Sequence, residues 1–458
     1  MSRKRVVVLN VVGLTPALLK SMPRLQKVGK AGFQAQLDTV LPAVTCTVQS
    51  SIVTGSTPGE HGAVANGWYF RDLGEVYLWR QHNKLVQGEK VWEAARKLSP
   101  DHRTANLCWW YAMGATTDLT VTPRPIYYTD GRKGPDCYAY PPTLHDQLTE
   151  KLGTFPLFNY WGPTANINST QWLADASRHV MENDPVDLQL VYLPHLDYDM
   201  QRYGPHDPRI AEAARQIDEV AGSLAEDAIA DGATVVVLSE YGITAADQPV
   251  EINRYLRKAG LLHVYEQDGM EYLDPWTSKA FAVSDHQLAH VYVTDPDLEP
   301  KVADMLRDVP GIEQVLDASG KREAGLDHER SGELVAVADK TAWFTYHYWL
   351  QESRRPDFAP TVDIHRKPGF DPAELFFNPD DKMAKAKAFA TLARKKAGFR
   401  AVMDVIPTDP RHVRGTHGRL PDDPEDGPVL LCSDGDHGTD RLSVTDVKEL
   451  LLKLGGLK

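Results

Sequence analysis

The stretch VVVLSEYGIT, residues 235–244, runs four apolar residues into Ser239, Glu240, Tyr241 and Gly242. Such a run reads as a buried strand that delivers a carboxylate to the tip of a sheet. In open α/β sheets the carboxyl ends of strands are where ligands sit. A carboxylate there is a metal ligand or an acid/base group, yet a bulky phenol stands beside it. A second stretch, PAVTCTVQSSIVTGSTPGEHG (residues 42–62), places Thr45 after Pro42 and before the run Val48 to Thr54. A hydroxyl nucleophile needs its proton removed or its alkoxide stabilised. A metal on the oxygen does this without a nearby base. A helix built from the following run would offer backbone N–H groups to an anion. Thr47 is a rival two residues on, and helix capping is the ordinary role for both threonines.

Other segments carry ligand-type residues. In TVDIHRKPGFDPAELFFNP (361–379), Asp363 and His365 fall on the same side of an extended strand, and both are common metal ligands. SDHQLAHVYV (284–293) adds Asp285, His286 and His290. In TVTPRPIYYTDGRKGPD (120–136), Arg124, Arg132 and Lys133 sit among prolines and tyrosines. Arginine suits bidentate contact with phosphate or carboxylate. Trp109 and Trp110 just upstream could stack on a base or sugar. The ordinary alternative is a solvated basic loop, and the same choice applies to RKPG (366–369).

Five pieces follow one another in a telling order: Val12-Gly13-Leu14 after an apolar run, the Thr45 block, YLPHLDYDMQRYGP (192–205), SEYG (239–242) and GTHG (415–418). Together they resemble the alkaline-phosphatase superfamily, and within it the nucleotide pyrophosphatase/phosphodiesterase type that includes phosphonoacetate hydrolase. The resemblance implies an α/β core with a mostly parallel sheet and helices on both faces. It also implies a divalent-metal hydrolase of a phosphodiester, pyrophosphate or phosphonate, with zinc as the usual ion, manganese as another, and one or two ions bound. Cys46 is not set in Cys-x-Pro-x-Arg, so a sulfatase-type nucleophile does not fit.

Carried over residue by residue, the resemblance makes Thr45 the nucleophile. One metal set falls on Asp197, Gln201 and His417, the other on Val12, Glu240 and Tyr241. Val12, Gln201 and Tyr241 depart from the family's Asp, His and His. Valine cannot bind a metal, and a phenol with a reference pKa of about 10 binds poorly near neutral pH. The second site is therefore damaged or replaced. Glu240 is left to act as a base, and Tyr241 either donates to a substrate oxygen or fills space. His195 is placed to orient Asp197, and Asp363 with His365 offers replacement ligands. The alternative function is a binding or accessory protein that keeps the fold without the chemistry.

The elements that must hold these residues are legible. Strand-like runs cover 6–12, 188–193, 234–238 and 428–432, with helical patterns at Ile210 to Ala230, Lys382 to Lys396 and Asp446 to Leu454. Alternation of strands and helices predicts a mainly parallel sheet. We expect a core from 1–245 and 405–458, with 246–404 as an inserted, cap-like region carrying some core-edge strands. Residues 320–380 lack clear periodicity and read as a lobe outside any sheet layer. The charged Ser2-Arg3-Lys4-Arg5 and the apolar run after it mimic a signal peptide. The β-branched run ending at Gly13 reads instead as the first strand. A net charge of -13 argues against a nucleic-acid polymer, and no run reaches the length of a membrane span. The expected partner is a small phosphorylated or phosphonate substrate. Four scattered cysteines suggest a reducing cytoplasm.

Overall fold

A computed structural model describes residues 4–458, so Ser2 and Arg3 of the charged leader-like segment lie outside the described residues. The remainder of that segment leads directly into β1 (Val6–Val11). The chain continues with β2 (Phe33–Asp38), β3 (Thr104–Leu107), β4 (Leu119–Pro123), β5 (Cys137–Tyr140), β6 (Leu188–Leu193) and β7 (Thr234–Leu238). A second set follows: β8 (Ala280–Asp285), β9 (Leu288–Val293), β10 (Ile312–Leu316) and β11 (Leu334–Ala338). The chain then returns with β12 (Val429–Cys432) and β13 (Arg441–Ser443).

The first seven strands and the last two make one sheet, in the order β13-β2-β12-β7-β1-β6-β3-β4-β5. Only β12 and β5 run against the rest. Strands covered on both faces read as unbroken apolar runs, and β1, β6 and β7 are buried at every position. Asn10 pairs with Tyr192 on one side and Leu238 on the other. That register fixes where β1, β6 and β7 end, and the polar residues just beyond them converge.

Helices carry the rest. α1 (Thr45–Thr54) is buried along its whole length and stops at Gly55, whose left-handed backbone lets the chain turn. α2 (His195–Tyr203) follows β6 directly. α3 (Ile210–Ala230) lays its apolar stripe along the sheet. α4 (Ala384–Lys396) is largely solvent-facing, and α5 (Val447–Leu454) packs against α1.

The second set of strands forms a separate antiparallel sheet, ordered β8-β9-β11-β10. Two expectations change here. No strand from 246–404 joins the core sheet among the described residues; its edges are β13 and β5. Residues 320–380 are also not free of sheet, because β11 (LVAVA) is a buried interior strand. Five consecutive apolar residues show no alternation, so periodicity alone does not flag them.

The RKPG segment also differs from a substrate loop. Lys367 is buried, with Nζ 2.8 Å from Asp371 and 2.7 Å from Glu374. Trp161 donates to Glu374 at 2.6 Å. This ion triad ties the lobe together. Removing one member of such a set leaves an uncompensated buried charge. Lys367→Met is expected to lower unfolding free energy by about 3–5 kcal/mol, read from urea melts; a loss near zero would show that the triad relaxes into water.

Candidate active site

Thr45 is the first residue of α1, and its hydroxyl lies 3.0 Å from the Tyr241 phenol. Val44, not either threonine, occupies the capping position. Thr47 is buried, with a hydroxyl that has no partner, and has no hydrogen bond to this cluster. Of the two rivals, Thr45 is the one that meets Tyr241.

Glu240 lies two residues past β7 and is wholly out of water. Its Oε1 accepts from Asn10 Nδ2 at 2.5 Å and from Gln49 Nε2 at 2.6 Å. Its Oε2 makes no hydrogen bond. Burial pushes its pKa up to about 8, against the pull of the two amides and the nearby Thr45 hydroxyl. Glu240 therefore faces the Thr45 neighbourhood, but the direct partner of Thr45 is the phenol. Asn10 and Gln49 were missed in the sequence. Asn10 is a lone polar residue inside an apolar strand, and Gln49 lies one helical turn after Thr45; both are readable signals.

Asp197 and Gln201, four apart on α2, share a helix face. Gln201 Nε2 donates to Asp197 Oδ2 at 2.7 Å. His417 arrives because Thr244–Ala245 pairs with Gly415–Thr416 in a two-residue ladder. Gly415 is required there, since a Cβ would sit 2.1 Å from the Met200 carbonyl oxygen. His417 Nε2 lies 3.8 Å from Asp197 Oδ1, although the two residues are 220 positions apart. His417 Nδ1 is 2.8 Å from the Ala43 carbonyl, so Nδ1 carries the proton and Nε2 presents a lone pair.

The donor chemistry distinguishes the two family metal positions. Asp197 Oδ1 and Gln201 Oε1 are buried without hydrogen-bond partners, and His417 Nε2 faces the former. Asp197 Oδ1 and His417 Nε2 face each other across 3.8 Å, a gap that ligand bonds of about 2.0–2.2 Å to one cation span, whereas Gln201 aims its N–H at Asp197 Oδ2 and would join as a ligand only with its amide turned so that Oε1 faces in. The other position does not suit an ion. Val12 is hydrocarbon, Glu240 keeps one free oxygen, and Tyr241 is committed to Thr45. Burial, then the Asp197 and Glu240 charges, drive the Tyr241 pKa further up, so the phenol stays a proton donor.

Tyr241 also stacks on His417, with ring centroids 3.6 Å apart and planes 7° from parallel. The stack continues through His286 to Phe370, whose ring then meets Trp79 edge-on, and Trp79 packs at a tilt on Trp110. His286 sits in the β8–β9 turn with φ 57°, a backbone suited to a tight hairpin. Its Nδ1 lies 2.8 Å from Asp285, which also accepts from the Asn66 backbone and side chain. Asn66 in turn accepts from the Cys46 N–H, so that amide at the start of α1 is already occupied. A narrow cleft with a cavity of only about 20 Å³ opens on the Tyr241–His417 side, walled by Thr39, Thr244, Gln287 and Lys340.

Several expected contributors lie elsewhere. His365 sits in the turn over 364–366 and Asp363 in irregular chain just before it, not in an extended strand. Asp363 is neutralised by Arg366 at 2.8 Å and Lys133 at 3.6 Å, and His365 bonds the Leu78 carbonyl. Neither joins a three-residue ligand group among the described residues. His290 is saturated by Val64 O and Gly332 N. His195 has no hydrogen bond to Asp197. Arg124 bonds Gln81, Arg132 pairs with Asp130, and all three basic residues lie on or beside the surface hairpin Ile126–Gly134 rather than at Thr45. Trp109 is core, and Trp110 packs on Trp79.

The model of the type I phosphodiesterase / nucleotide pyrophosphatase family matches residues 6–371. Human ectonucleotide pyrophosphatase/phosphodiesterase family member 7 is 23% identical over 294 residues, which is 61% of this chain and 56% of that protein. The match thus spans little more than half the relative's length. Phosphonoacetate hydrolase from Sinorhizobium meliloti, in complex with phosphonoformate, superimposes with a TM-score of 0.61 at 14% identity, covering 99% of this chain and 96% of that one. Murine ectonucleotide pyrophosphatase/phosphodiesterase 5, an inactive variant in complex with AMP, gives 0.59 at 15% identity with the same coverage. The fold is alkaline-phosphatase-like.

The buried carboxyl makes a prediction. Glu240 binds its proton more tightly folded, at about 8, than at the reference value of 4.5. The resulting stability is complete below the lower value and is lost as pH rises through the upper one. Glu240→Gln mimics the neutral form throughout. Its melting temperature should gain on that of the native chain between pH ~5 and ~9; a constant difference across that range would refute the buried-acid reading.

Proposed function

The chain belongs to the type I phosphodiesterase / nucleotide pyrophosphatase family, and from that premise we propose that it is a hydrolase of a small phosphodiester, pyrophosphate or phosphonate, acting through Thr45 with a single divalent ion. The observation that carries this reading is the meeting of Thr45, Glu240, Tyr241, Asp197 and His417 in one buried cluster. The AMP and phosphonoformate bound by the two structural neighbours support the substrate class. We place the activity in the cytoplasm, from the four scattered cysteines, each of them free and buried.

Asp197, Gln201 and His417 would hold the ion, zinc by preference and manganese otherwise. When bound, it supplies Lewis-acid stabilisation of phosphoryl charge. Thr45 Oγ1 bonds to phosphorus as the bond to the leaving group breaks. In its ionised form, which the raised pKa makes the major one only above about pH 8, Glu240 Oε2, the oxygen with no partner, takes the threonine proton. Tyr241 orients the Thr45 hydroxyl and donates to a phosphoryl oxygen. The leaving group takes its proton from solvent. Water then attacks phospho-Thr45 and releases a proton to solvent, while Glu240 returns its proton to the threonine oxygen.

A second reading has its own observation. Thr45 is only 4% exposed and bonded to Tyr241, as in a binding protein whose chemistry is silent. Metal content and turnover of a generic aryl phosphodiester separate the two. The enzyme reading expects one equivalent of metal, and Thr45→Ala should lower turnover at least ~1000-fold with an unchanged melt. Tyr241→His should raise metal uptake above one equivalent. Full activity in Thr45→Ala would remove the nucleophile assignment, and a metal-free, inactive native chain would favour the binding protein.

A further inference from the structure

Helix α4 presents its apolar side chains the wrong way round. Its buried positions are Ala384 and Ala388, while Phe389 is 75% exposed and Leu392 is 56% exposed. Burying a phenylalanine is a large gain for a helix and burying an alanine a small one. A sequence that inverts this order keeps its apolar face for something other than its own core. Phe399 and Val402, just beyond the helix, are exposed as well.

The charge pattern is equally one-sided. From 382 to 403 there are seven lysines and arginines and no acidic residue, in a chain of net charge -13. Lys387 pairs with Asp381. Lys382, Lys385, Arg394, Lys395 and Arg400 form no ion pair among the described residues, and Lys385 lies over the Phe377 ring.

A second segment joins this face. The hairpin that pairs Ile126–Tyr127 with Lys133–Gly134 exposes Ile126, Tyr127 and Tyr128, and Arg132 lies over the Tyr128 ring at 4.8 Å. The two segments meet at residues 362–363: Ala388 of α4 shares an apolar cluster with Val362, and Lys133 lies 3.6 Å from Asp363, so that Lys133 repels Lys395, and Arg400 just past the helix attracts Asp130. Two like charges held near each other cost free energy unless an anion comes between them.

We propose that α4, the Phe399–Val402 segment and the Ile126–Gly134 hairpin form a peripheral docking surface for an anionic lipid bilayer. Basic residues flanking exposed aromatic and aliphatic side chains match a headgroup layer above an acyl boundary. A nucleic acid would satisfy the cations but leave Phe389, Leu392, Phe399 and Val402 in water. No helix among the described residues is long and apolar enough to cross a membrane, and lying on one requires none. This revises the expectation of no membrane partner.

The test is co-sedimentation of the full chain with phosphatidylcholine vesicles, with and without phosphatidylserine. Binding is expected only with phosphatidylserine, weakening as salt rises. A Phe389→Ser/Leu392→Ser variant and a Lys385→Glu/Lys395→Glu variant should each lose binding by at least ~10-fold. Both keep the native melt and the native turnover of a soluble aryl phosphodiester, since neither touches the Thr45 cluster. The proposal is overturned by equal binding to neutral vesicles, by variants that bind like the native chain, by heparin binding without vesicle binding, or by a native dimer that the same changes dissolve.

Discussion

Glu240 is a carboxylate with no access to water, and such a group must be hydrogen-bonded, paired or neutral. Much of the site follows from that constraint. Asn10 interrupts the apolar β1 because its amide is needed at Glu240 Oε1, and Gln49 on α1 supplies the second donor. These bonds lock a strand of the sheet, the strand end that carries Glu240 and the helix that begins at Thr45. The rise of the Glu240 pKa measures what remains uncompensated: two amides soften the desolvation of the charge without cancelling it.

The second organising contact is the stack of Tyr241 on His417. Where the family resemblance places a metal-binding imidazole, a phenol instead lies flat against the remaining one. It can do so because its ring is apolar on the face and its hydroxyl reaches Thr45 at the edge. The β8–β9 turn supports the stack from the far side with His286, and Gln287 N–H holds the His417 carbonyl at 2.9 Å. The smaller sheet is therefore part of the site's wall rather than a remote lobe.

Legibility in the sequence was uneven for physical reasons. β6, β7 and α3 occupy the residues that their apolar patterns predict, and β1 and β12 fall within a residue, because buried parallel strands and an amphipathic helix leave unambiguous signatures. Asp197 and His417 could be paired only through resemblance, since nothing local links positions 220 apart. Asp363 and His365 misled because spacing shows which side chains share a face only if the backbone is extended, and a turn there breaks that premise. β11 was hidden by its own burial. The inverted amphipathicity of α4 was also invisible, because a pattern of alanine, lysine and phenylalanine does not say which side meets the protein.

The order of strands has a consequence for synthesis. β2 pairs only with β12 and β13, which lie some four hundred residues later in the chain. Until residues 429–443 leave the ribosome, β2 has no sheet partner and β7 presents a bare edge. Such edges invite mispairing between nascent chains. The helix that begins at Thr45 follows β2, so the sheet edge beneath it closes only when β12 pairs, while Tyr241, Asn66 and Glu240 hold the helix itself. Sealing the sheet edge beside the centre is thus a long-range event, drawing on residues later in the chain than Glu240 and Tyr241, which meet Thr45 and its helix.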